Sequence, residues 1–164
     1  MSAYMLSVTI HVFAALFWLG GMFFFALIGA PVLRKVEPPA LRARLFQELG
    51  TRFRDAGWIA IGILLVTGLT NLHFRGLLGM ALSGSGDFWR SDYGTTLAWK
   101  LGAVGGMLVL QAVHDFRTGP AASRLEPGSS AALKARRAAS LMARVSALLG
   151  VVVVITAVRL ARGG

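Results

Sequence analysis

The chain has 164 residues, 55% of them hydrophobic and 15% charged, with a mean hydropathy of +0.66. That is more apolar surface than one soluble domain of this size can hide, so the surplus must face lipid. The net charge of +10 comes from basic residues lying between apolar runs rather than along one stripe, so nucleic acid is not an expected partner, and the absence of cysteine excludes a disulfide framework, a thiolate metal site, c-type haem attachment and a cysteine nucleophile.

Four apolar stretches are long enough to cross roughly 30 Å of hydrocarbon at about 1.5 Å per residue. In chain order they cover 4–33, 53–75, 94–116 and 141–160. The expected fold is therefore all-α, an integral membrane four-helix bundle forming a single domain over 1–164. The first stretch has no basic n-region and no clean small-residue cleavage site, so it is expected to stay as a helix rather than leave as a signal peptide.

The segment after it, RKVEPPALRARLFQELGTRFR, carries six Lys and Arg. Within it, 40–53 shows helical spacing of Leu41, Leu45 and Leu49, which predicts either an extension of the second helix or a surface helix. The middle loop carries Arg75 and Arg90, and the loop before the fourth helix, FRTGPAASRLEPGSSAALKARR, has five basic residues. By the positive-inside rule both basic loops are cytoplasmic and both termini lie outside, in the cell inner membrane, with Arg159 and Arg162 voting weakly the other way. Pro38-Pro39, 83–86 and 119–130 read as turns. Glycines at 20, 21, 57, 62, 68, 102, 105 and 106 let helices approach closely.

Polar side chains at membrane depth are costly and point to function. His11 lies in the outer part of the first helix, His73 near the outer end of the second, and Lys100 near the outer end of the third. On the third helix Lys100, Met107, Gln111 and His114 recur at spacings of seven, four and three, making a polar stripe about 21 Å long. His11, Ala15, Trp18 and Met22 align on the first helix in the same way.

Two histidines at similar depth on different helices, with small residues nearby, suit the axial ligands of b-type haem. On that reading His11 and His73 hold the iron. Arg75, Arg90 and Lys100 meet the propionates, Tyr93 and Trp99 supply hydrogen bonds, and His114 is a second-site candidate near the cytoplasm. Imidazole and thioether equally suit Cu(I), which makes His11, Met22, Lys100 and Met107 an alternative set along an internal path. A plainer reading makes His73 interfacial, His11 a helix-packing residue, His114 a headgroup neighbour of Asp115, and Arg144 a structural partner of Asp115 or Asp55.

The run SDYGTTLAWKLGAVGGMLVLQAV, with Tyr93-Gly94, Leu97 and Lys100, resembles a helix opening of the copper resistance D (CopD) domain family. Arg52-Phe53 and the Val-Thr-Gly-Leu of 66–69 resemble the preceding helix of that domain. The opening HVFAALFWLGGMFFFALIGAPVL is similar to the first helix of these proteins and of four-helix protoporphyrinogen oxidases of the HemJ type, where a first-helix histidine and third-helix lysine match His11 and Lys100. The resemblance implies either copper import across the inner membrane or haem and porphyrin redox chemistry.

The sequence thus predicts an inner-membrane b-type haem protein, an electron carrier or redox subunit. Copper import or delivery of the CopD type is the alternative, and a structural or assembly partner of a respiratory complex the third. Were the chain an enzyme, it would be a haem-dependent membrane oxidoreductase. Partners compatible with this reading are the bilayer, a redox protein or quinone, and a second copy of the chain in a homodimer. No nucleotide loop or G-x-S-x-G nucleophile motif is present, which disfavours ATP-driven pumps and hydrolases.

Overall fold

A computed structural model describes residues 1–84, 86–118, 125 and 129–163. The all-α class expected from hydropathy is the observed one: no strand occurs among the described residues, and four helices are long and apolar enough to cross a membrane. By contacts the chain divides into two compact units, Met1–Ser83 and Gly84–Gly164.

In the first unit, α1 spans Ala3–Leu33. It opens at Ser2, whose side chain accepts a hydrogen bond from the Met5 amide at 3.3 Å and so satisfies one of the orphan donors of the first turn. Near its other end the helix widens into a π-turn at Phe25–Gly29, where the Ala30 amide reaches back to the Phe25 carbonyl. Pro31 follows directly. It has no N–H for the Leu27 carbonyl and its ring crowds that oxygen, so one wider turn relieves the helix there.

The second helix, α2, spans Pro39–Phe74, with Pro39 in the first helical turn, where a missing N–H costs nothing. The segment 40–53 therefore extends the membrane helix and does not form a separate surface helix. At 36 residues α2 is longer than a bilayer core requires, and Arg42, Arg44, Arg52 and Arg54 all lie on its N-terminal part. It stops at Gly76, at φ +70°, where the Gly76 amide bonds the His73 carbonyl at 2.9 Å and the Leu77 amide bonds the Leu72 carbonyl at 3.0 Å. This is a Schellman cap, and its left-handed residue suits glycine.

α1 and α2 pack antiparallel. Phe25 meets Phe46 edge-on at 6.3 Å, Trp18 lies over Gly57, and Tyr4 meets Phe74 at 5.9 Å. The buried residues of α1 are Ser7, Ala14, Trp18 and Leu19, and those of α2 are Gly57, Ala60, Ile61 and Thr67. Short helices α3, Leu78–Leu82, and α4, Gly86–Arg90, follow, the latter belonging to the second unit.

In the second unit, α5 spans Asp92–Thr118 and α6 spans Ser130–Ala161, of which Arg137–Ala161 is the apolar crossing. α6 starts eleven residues before the expected 141 because the alanine-rich stretch from Ser130 favours helix although it is too polar to register as membrane-spanning. Met107 at 1% exposure and Ala103 are buried on α5, as are Val153, Thr156 and Leu160 on α6. Most of the expected 119–130 turn cluster lies outside the described residues.

Candidate functional site

The polar centre of the first unit forms where two helical faces meet. His11 Nδ1 lies 2.8 Å from Thr67 Oγ1, and the Thr67 hydroxyl lies 2.6 Å from the Ile63 carbonyl oxygen. A Cβ on Gly68 would stand 3.6 Å from His11 Cε1, so the ring rests against the α2 backbone in ordinary van der Waals contact. A glycine at 68 and a small hydroxyl at 67 let α1 come close enough for the imidazole to reach into α2. The antiparallel register also sets Ser7 level with Asn71, and beyond them Arg75 Nε donates to Tyr4 Oη at 3.0 Å. Ser7 Oγ and Asn71 Oδ1 are buried and meet no hydrogen-bond partner among the described residues.

His73 is on the same helix pair but exposed, beside Phe74 at 6.1 Å between ring centroids. It lies six residues beyond Thr67, or about 9 Å along the axis. His11 packs directly onto the neighbouring helix, so His11 and His73 do not face one another across a slot that could take a macrocycle. The bis-histidine haem expected between these helices does not fit this arrangement. Met22 is eleven residues from His11, about 16 Å along α1, and cannot share an ion with it. Arg75 turns to Tyr4, an interaction the sequence gave no reason to expect.

On α5 of the second unit, Lys100 is half-buried and Met107 fully enclosed. The expected stripe breaks after Gln111. The helix changes to a π-turn over His114–Thr118, in which each residue rotates by less than the 100° of an α-helix, so Asp115 takes the inward position in place of His114. The Asp115 side chain is 5% exposed and that of His114 52%. Asp115 accepts from Gln111 Nε2 at 2.8 Å and from His114 Nδ1 at 3.1 Å. Tyr93 is half-buried with its ring 6.4 Å from Phe88. Of the two carboxylates expected as partners of Arg144, Asp55 binds Arg54 at 2.9 Å.

Sequence reasoning missed Ser7, Asn71 and the role of Thr67, whereas it had set His114 beside Asp115, as the structure has them. Ser7 sits one turn before His11 on the same face and was visible by spacing. Thr67 was not, because its pairing with His11 depends on the α1–α2 register. Among the described residues no group of three or more His, Asp or Glu could by itself hold a metal ion.

Fold and site together define a multi-pass helical membrane protein with an oriented imidazole inside its first helix pair. The sequence profile of the family described as copper resistance protein D (CopD) matches residues 47–160, and the chain belongs to that family. It is also 43% identical over 65 residues to an uncharacterized protein of Aquifex aeolicus (strain VF5), an alignment covering 39% of this chain and 44% of that protein's length. No solved structure matches the chain.

Proposed function

We propose that the protein handles copper as cargo, taking it into or across the cell inner membrane, with His11 as a Cu(I) ligand of the first unit and Met107 as the enclosed sulfur donor of the second. The observation that carries this reading is membership of the CopD family over most of the chain. The donor chemistry agrees: neutral imidazole and thioether both suit Cu(I), and neither brings a charge into the membrane. Lys100, which the resemblance singles out, is half-buried on α5 seven residues before Met107. In this reading the basic N-terminal part of α2 faces the cytoplasm.

Haem b remains the second reading, with His11 as the ligand whose Nδ1 hydrogen bond is also what an axial histidine uses. One sample separates the two. The purified full chain in detergent is titrated with Cu(I) against a chromogenic chelator, and its absorption is recorded oxidised and dithionite-reduced. Copper handling requires tight Cu(I) binding that His11→Ala abolishes. A Soret band with resolved α and β bands on reduction, lost in His11→Ala, together with no Cu(I) binding, would transfer the site to haem.

A further inference from the structure

The two helices of the first unit differ in how far they stay uncharged. α1 carries no Asp, Glu, Lys or Arg over Ala3–Leu33, 31 residues or about 46 Å. On α2 the uncharged run is 56–74, 19 residues or about 28 Å, which matches the roughly 30 Å of a hydrocarbon core. Register places the excess of α1. Phe25 packs on Phe46 and Gly21 on Phe53, so α1 beyond Gly21 runs beside the part of α2 that holds Arg42, Arg44, Glu48 and Arg52. From Gly21 to Leu33 that is about 18 Å of apolar helix level with charges.

Its own unit does not cover this stretch. Phe24, Leu27, Ile28 and Val32 recur at helical spacing on one side of α1, and each is more than half exposed. Hydrocarbon whose thickness suits α2 ends before it reaches them, and apolar side chains left to water are unfavourable in proportion to their area. The stripe ends in cations: Arg34 and Lys35 follow it directly, both exposed. The neighbouring carboxylates are already engaged, Glu37 by Arg42 at 3.3 Å, Glu48 by Arg52 at 3.5 Å and Asp55 by Arg54 at 2.9 Å. Arg34 and Lys35 have no ionic partner among the described residues. Arg42 Nη1 also reaches the Arg34 carbonyl at 3.4 Å, which adds a guanidinium to the same turn.

An exposed apolar strip that closes on unpaired cations has the outline of one kind of molecule, acyl chains ending in a phosphate. We propose that α1 holds an anionic phospholipid, its chains along Phe24, Leu27, Ile28 and Val32 and its phosphate at Arg34 and Lys35. The net charge of the headgroup matters, because a choline or ethanolamine headgroup would bring its own cation into a positive field, whereas a glycerol headgroup leaves the phosphate charge uncompensated. The bound lipid keeps α1 covered where the hydrocarbon that suits α2 has ended. This role is independent of the copper reading.

The test titrates the purified full-length chain in detergent with phosphatidylglycerol and, separately, with phosphatidylcholine, and reads bound lipid by native mass spectrometry. Phosphatidylglycerol should bind distinctly more tightly. Arg34→Gln with Lys35→Gln should weaken it by about tenfold or more, while Arg159→Gln with Arg162→Gln, the same loss of charge at the C-terminal end of α6, should leave it within about twofold. Equal affinity of the parent for the two lipids overturns the proposal, and that comparison needs no variant to fold. Equal weakening in both double variants would show attraction to overall charge and overturns the site. Inorganic phosphate that displaces phosphatidylglycerol at equal concentration would show an anion site without a lipid, and overturns it as well. So does a parent that is dimeric in detergent and becomes monomeric in Leu27→Ser with Ile28→Ser, since the stripe then belongs to a second copy of the chain.

Discussion

Two glycines and one tryptophan separate positions where the backbone demands a residue from positions where a side chain can yield. A Cβ at Gly94 would collide with the Phe88 carbonyl oxygen and press on Trp89 Cα, both parts of the backbone. That corner is fixed further by Ser91, whose hydroxyl donates to the Phe88 carbonyl at 2.6 Å while accepting from the Gly94 amide at 3.1 Å. A Cβ at Gly21 meets only the far end of the Phe53 ring, which can swing aside. Gly94→Ala should therefore lower thermal stability in detergent by about 1–3 kcal/mol, and Gly21→Ala by distinctly less. Equal losses would show that the start of α5 is looser than its cap implies. Trp18 sets a different test. It is 3% exposed, and its indole N–H meets no acceptor among the described residues. Removing an unsatisfied buried donor while keeping most of the ring should cost little, so Trp18→Phe is expected to unfold within about 1 kcal/mol of the parent. A loss of several kcal/mol would mean the indole nitrogen has a partner in the membrane.

At the scale of the helix, each of the two π-turns precedes a proline in the sequence, Pro31 and Pro120. The turn at Phe25–Gly29 precedes Pro31, a residue that cannot complete an α-helical bond, and places Phe25 against Phe46. Pro31→Ala restores the N–H and should let the Leu27 carbonyl take its ordinary partner. Hydrogen exchange should then show residue 31 protected and the 25–31 segment slowed, with a gain of stability up to about 3 kcal/mol. Rapid exchange at residue 31 would mean that the α1–α2 packing, not the proline, imposes the wider turn. The turn at His114–Thr118 is likewise followed in the sequence by a proline, Pro120, at the same two-residue offset, but the widening was not read from it. That is why the spacing of Lys100, Met107, Gln111 and His114 was followed correctly to Gln111 and then placed histidine where aspartate lies. The spans themselves were legible, because membrane burial demands long apolar runs whatever the packing. The helical stretches leading into α2 and α6 were less so, since hydropathy records lipid contact and not helix propensity. His11 was legible as a costly polar residue in an apolar helix, while Thr67 was hidden until the α1–α2 register was known.

For the whole molecule, charge predicts an orientation in the bilayer, and the C-terminal arginines are the evidence to weigh against it. Six basic residues lie between the first two spans and five between the last two, whereas the loop joining the second and third spans carries Arg75 and Arg90. Arg159 and Arg162 would oppose an external C-terminus if every charge counted equally. Arg159, however, falls in the last turn of α6, and the Arg162 amide bonds its carbonyl at 2.9 Å. Cations there are favoured by the negative end of the helix dipole on either side of a membrane, so they say little about topology. With four crossings, the positive-inside rule predicts Ser2 and Ser83 outside and Lys35 inside. Because the chain has no cysteine, single variants Ser2→Cys, Ser83→Cys and Lys35→Cys report on each position without background. In intact spheroplasts an impermeant maleimide should label the first two and reach the third only after permeabilisation. The reverse pattern would invert the protein, place the basic part of α2 outside, and make the Tyr4–Arg75 end of the first helix pair the cytoplasmic one. On the copper reading, an ion reaching His11 from that end would then come from the cell's interior, so this labelling experiment also sets the direction in which the proposed site is loaded.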